Sequence, residues 1–124
     1  MNITISSESK NEYRLITSIG SLSGIDDLLT HTHLTCKEII IHDEKKILIN
    51  ALETKFPLSL YPYFELVNHY TTAFPFEVRR LRVACVVLKD YEQASKFWEN
   101  LCATKGFIFS AFTSLQDAHK WLTV

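Results

Sequence analysis

Glycine and proline are scarce in this chain of 124 residues, with three of each. Dispersed glycines cannot build a phosphate cradle, and neither G-x-G-x-x-G nor the P-loop pattern occurs, so nucleotide binding through those devices is excluded. Few breakers also mean short connections. No charge sign dominates: 13 Lys and Arg face 14 Asp and Glu. Such a balance gives no long-range field for nucleic acid or an anionic membrane. Long apolar runs are missing as well. The longest, Val83 to Leu88, is too short to span a bilayer as a helix. The opening "MNITISSESK" has no basic segment ahead of an apolar core, so no signal peptide is expected. The three cysteines, Cys36, Cys85 and Cys102, are odd in number and show no C-x-x-C spacing. Reduced buried thiols in a cytoplasmic chain are the expectation. G-x-S-x-G is absent, which removes the nucleophile-elbow form of serine catalysis.

What is present is a clear alternation of strand and helix signals. The length suits one domain, residues 1–124, able to bury a core without disulfides or metal. Ile3 and Ile5 alternate with polar residues. After a polar turn, Tyr13, Leu15, Thr17 and Ile19 face one way and Arg14, Ile16 and Ser18 the other, which predicts an antiparallel hairpin. Ser23 and Asp26 have the spacing of a loose capping box for a helix from about Gly24 to His33. Cys36, Ile39 and Ile40 fit one helical face and predict a second helical segment, about Thr35 to Asp43. Ile47 to Ala51 reads as a buried strand. Ser59 has the chemistry of the next cap, and Pro62 is tolerated in the first turn of a helix reaching about Phe74.

"LRVACVVL" is β-branched without alternation, the pattern of a strand covered on both faces. Asp90 can cap the helix that follows, whose apolar stripe is Ala94, Phe97, Trp98, Leu101 and Cys102. Gly106 falls where a helix C-terminus favours a residue without Cβ. "FIFSAF" is another buried strand, and Ser114 with Asp117 opens a final helix striped by Leu115, Ala118, Trp121 and Leu122. A helical crossover between the last two strands permits parallel pairing. The order β-β-α-β-α-β-α-β-α is an α/β layer with one mixed sheet of about five strands.

Few groupings suggest chemistry. His31, His33 and Cys36 are close in sequence, with His42 downstream. On a helix, residues two apart diverge by about 200°, so a solvent-facing helix end is the expectation and no metal site is assigned. A Cys–His nucleophile has no local signature here. Asp26 with Asp27, and Asp43 with Glu44, read as solvated charge near helix ends. Arg79, Arg80 and Arg82 could hold a phosphate or an acidic partner, but solubility and strand-edge protection explain them more simply. "LYPYFELVNHY" carries more aromatics than one helical face can hold, so part of it could form a dimer or partner surface.

The order of elements resembles the SpoIIAA-like fold of the STAS domains (anti-sigma-factor antagonists), especially the small stand-alone bacterial proteins of that type. The resemblance is carried by "GSLS" at Gly20 to Ser23, "KILIN" at Lys46 to Asn50, "PLSLYPYFELV" at Pro57 to Val67, "FWENL" at Phe97 to Leu101 and "FTSLQDAHKWL" at Phe112 to Leu122. It implies two antiparallel N-terminal strands with the remaining strands parallel. It also implies a non-enzymatic function by protein contact, without cofactor, with homodimerisation as one form. The docking element would be the loop and helix start after the third strand, about Leu52 to Tyr63. Glu53, Thr54, Tyr61 and Tyr63 are the candidate partner-binding residues. The D-S-x-G phosphorylation motif of the sporulation antagonists is missing: the region reads "NALETKFPLS", and Thr54 and Ser59 are the nearest hydroxyls. A second implication is carriage of an apolar small molecule or lipid, because the fold is also similar to that of CRAL-TRIO carriers.

Overall fold

The structure, a computed structural model, describes residues 3–124. Five strands form one sheet in the order β1-β2-β3-β4-β5. They are β1 (Ile3–Ser9), β2 (Arg14–Ser21), β3 (Lys46–Lys55), β4 (Arg82–Val87) and β5 (Ile108–Phe112). The β1–β2 pair is antiparallel and every later pair is parallel, as the sequence reading expects. The helices are α1 (Ile25–His42), α2 (Tyr61–Ala73), α3 (Glu92–Thr104) and α4 (Leu115–Thr123). Short 3-10 turns at Phe76–Arg80 and Lys89–Tyr91 lead into β4 and α3.

Each parallel crossover steps the chain one strand further in the same direction. Right-handed crossovers then place α1, α2 and α3 on one face of the sheet. These helices enclose the larger core, which includes Ile16, Leu28, Leu66, Val67, Val83 and Cys102. α4 follows the last strand and alone covers the opposite face, burying Ala118 and Leu122 against Leu48, Ala84 and Val86. β4 therefore has apolar residues on both faces, which explains its lack of alternation. Trp98 and Trp121 are half-buried: Trp98 stacks on Phe109 with ring centroids 5.8 Å apart, and Trp121 lies 5.7 Å from Phe112.

Several boundaries depart from expectation. The two helical segments predicted around residue 34 are a single helix, α1. No breaker separates them, and the Thr35 hydroxyl folds back onto the carbonyls of His31 and Thr32, which satisfies it within the helix. At the start of α1, Asp27 rather than Asp26 engages Ser23, accepting from its backbone N–H at 2.8 Å and its hydroxyl at 2.9 Å. These bonds, the backbone one first, lower the Asp27 pKa. Ser59 and Asp90 are not the caps of α2 and α3; Leu60 and Tyr91 occupy those positions, without side-chain cap bonds. Ser114 does cap α4, accepting from the Asp117 N–H. Gly106 has φ +87°, the left-handed conformation it was expected to supply.

The outer edge of β5 is covered by side chains from α3. The Ala111 N–H donates to Glu99 Oε1 at 2.7 Å, and Lys96 Nζ donates to the Ala111 carbonyl at 2.7 Å. Burial alone would raise the Glu99 pKa, but the bonds from Ala111, Ser110 and Lys96 bring it below the ordinary value.

Candidate functional site

Between the sheet and α1–α3 lies a cavity of about 250 Å³. Ile49, Val83, Cys85 and Phe109 of the sheet form its floor. Leu28, His31 and Thr35 of α1, Tyr63, Leu66 and Tyr70 of α2, and Ser95 and Trp98 of α3 close it over. Cys85 sits on an inner strand yet keeps some accessible surface, because it faces this space. At one end the lining becomes exposed, with Ile40, Asp43, Lys45, Pro75 and Glu77 forming a mouth where α1 ends and the 74–81 connection begins. The cavity exceeds the roughly 150 Å³ apolar void that admits benzene in an engineered protein.

The wall holds a buried polar network that the sequence reading missed. His31 Nε2 and Ser18 Oγ are 3.0 Å apart. Ser18 Oγ also bonds Thr54 Oγ1, and the Thr54 hydroxyl donates to the Ser18 carbonyl at 2.8 Å. The network sits where the β2–β3 register shifts between Thr17 and Ile19. The inward period-two face Arg14, Ile16, Ser18 was legible, but its meeting with a histidine on α1 is tertiary. His31 is thus turned to the core rather than to solvent, correcting the expectation of a solvent-facing helix end, while His33 is exposed. Burial depresses the His31 pKa to about 4. Ser18 and His31 have the separation of a nucleophile and its base. Ser18 has no exposed surface, however, and no substrate can reach its oxygen.

Away from the charged mouth, the tyrosines and thiols of the cavity wall are bonded or neutral. The Tyr63 hydroxyl donates to the Pro57 carbonyl, and Tyr70 accepts from Trp98 Nε1 at 3.1 Å. Burial pushes the Cys85 thiol up to about 12, and the Cys36, Cys102, Tyr63 and Tyr70 groups also rise by burial. None of the three thiols is in a disulfide. Among the described residues, no three His, Cys, Asp or Glu side chains converge as a metal site would require.

The four candidate partner-binding residues separate into two pairs. Glu53 is exposed and Tyr61 is 66% exposed, whereas Thr54 is 1% and Tyr63 5% exposed. Thr54 belongs to the buried network and Tyr63 to the cavity wall. Ser59 is exposed. Beside Tyr61 stand Leu58, 70% exposed, and Phe64, 46% exposed, with the Tyr61 and Phe64 rings 6.3 Å apart. The three arginines do not form one cluster. Arg79 lies over Phe107 and donates to the Lys105 carbonyl, Arg82 lies over Trp121 and donates to its carbonyl, and Arg80 is exposed.

The sheet order, the antiparallel first pair and the helix arrangement define a SpoIIAA/STAS-like fold. An anti-sigma factor antagonist from Mycobacterium paratuberculosis superposes with a TM-score of 0.61 at 12% identity, covering 99% of this chain and 96% of that one. An uncharacterized protein of the DUF3478 family with a SpoIIAA-like fold, from Shewanella loihica, superposes with a TM-score of 0.55 at 22% identity, covering 97% and 93%. At these identities the likeness is one of fold. No family model and no curated protein matches the sequence. No helix among the described residues is long and apolar enough to cross a membrane.

Proposed function

We propose that this chain is a non-enzymatic regulatory module of the STAS/SpoIIAA-like type, working in the cytoplasm by docking a protein partner at the β3–α2 junction. One observation carries the reading: residues 56–64 serve two surfaces at once. Leu58, Tyr61 and Phe64 face outward, while Phe56 and Tyr63 line the cavity, and the Tyr63–Pro57 hydrogen bond ties the two sides together. Exposed aromatic and aliphatic side chains on an ordered helix start have the make-up of interface anchors. Glu53 and Tyr61 contribute directly in this reading, and Thr54 and Tyr63 hold the segment in place. A second copy of the chain is one such partner.

Parent protein and the Leu58→Ser/Tyr61→Ala double variant would be compared by light scattering and by affinity capture from source-cell extract. Loss of dimer mass, or of one specific retained protein, at unchanged melting temperature supports the reading. Identical mass and identical capture by both proteins overturn it.

The cavity favours a second reading, carriage of an apolar small molecule. A pocket lined mainly by apolar groups with a few placed polar ones is the usual form of a small-molecule site. Native mass spectrometry of freshly purified protein tests this reading through a retained passenger mass; the bare polypeptide mass alone counts against it.

A further inference from the structure

The protons of the buried network can be assigned one by one. The Thr54 hydroxyl proton goes to the Ser18 carbonyl. The Ser18–Thr54 bond must then use the Ser18 proton. Ser18 Oγ can therefore only accept from His31, so Nε2 carries the ring's hydrogen. That leaves Nδ1 as the acceptor of a ring that lines the cavity. The ring is nine-tenths buried, and its neutrality agrees with its depressed pKa. A ring acceptor on a cavity wall can take a hydrogen bond from a ligand donor.

The charges around the cavity point the same way. Among the described residues, the ionic ones on its lining are Asp43, Lys45 and Glu77 at the mouth and Glu44 beside them, so carboxylates outnumber the single ammonium. Arg14 already binds Glu44 at 2.8 Å. Among the described residues no cation lines the interior to meet an anionic head group, and a carboxylate taken inside would be buried without a counter-ion.

We infer that the cavity takes an uncharged amphiphile of roughly ten non-hydrogen atoms, whose hydroxyl or amide N–H donates to His31 Nδ1, and that it turns away carboxylates of the same length. This rests on the carriage reading and names the class of passenger. The size follows by scaling from the benzene-sized void, and the head-group preference follows from the neutral His31 ring on the wall and the acidic balance of the lining.

Displacement of the neutral fluorophore N-phenyl-1-naphthylamine from the full-length chain, at about pH 7.5, tests it with octanol, octanamide and octanoate. Octanol and octanamide are expected to displace the probe at concentrations at least about tenfold below octanoate. His31→Leu removes the acceptor and should narrow that gap. The series on the parent protein decides the matter even if this variant does not fold. Octanoate displacing as well as octanol overturns the assigned class and leaves carriage intact. A probe that no compound displaces, and whose binding survives Cys85→Leu filling of the cavity, overturns carriage itself.

Discussion

Replacing Thr54 with valine keeps the volume of a 1%-exposed side chain and removes only its hydroxyl. That hydroxyl donates to the Ser18 carbonyl and bonds the Ser18 side chain. Thr54→Val therefore withdraws a donor from a buried carbonyl and deprives Ser18 Oγ of the group that receives its proton. A buried polar group left unsatisfied costs about 1–3 kcal/mol, and about 2 kcal/mol is expected here. For a domain of this size that corresponds to a fall in Tm of roughly 6–10 °C. Thr54→Ser is the complementary change: it keeps the hydroxyl and deletes one methyl group, at about 1 kcal/mol. Denaturant titration of parent and both variants measures the two costs, with unchanged m-values showing that the denatured state is not responsible. The polar change should cost more than the volume change. Thr54→Val as stable as the parent, or less damaging than Thr54→Ser, would refute the assignment of this network as a satisfied, structural one.

Two further expectations concern pH and the sheet edge. His31 is held near pKa 4 in the folded protein, against about 6.5 unfolded. Its neutral form is favoured by folding, so its contribution is complete above about pH 6.5 and is lost as pH falls toward 4. The loss is about 3 kcal/mol, and urea titrations across that window should show the slope flattened in His31→Leu. Glu99→Ala should cost about 1 kcal/mol by removing the acceptor of the Ala111 N–H. It should also raise light scattering during thermal unfolding above the parent's, because the β5 edge is uncovered.

Much of the fold was legible because local and global signals agree in the second half of the chain. β4 and β5 are continuous β-branched or aromatic strands, Ser114 caps its helix, and Gly106 takes the conformation only glycine adopts freely. The continuity of α1 was not legible. Ile39, Ile40, Ile41 and Thr35 lower helix propensity, and packing against α2 and β1, with the Thr35 back-bonds, decides the matter. Ser59 and Asp90 have capping chemistry, but a 3-10 turn and a non-polar cap supply the geometry instead. The cavity was illegible for a different reason. Its lining comes from separate crossovers, and a sequence pattern records which residues face inward, not whether they meet. His31 shows the point: the helical period separates it from His33, but nothing local reveals Ser18 waiting on the strand.

The dressed edge of β5 bears on how copies of this chain could join. Glu99 and Lys96 occupy the backbone groups of Ala111 that an incoming strand would use. At the far side of the sheet, β1 has one neighbour, β2. A strand added from a second molecule meets fewer engaged backbone groups at β1 than at Ala111 of β5. The protection of β5 thus works against open-ended strand addition, which needs both rims of the sheet.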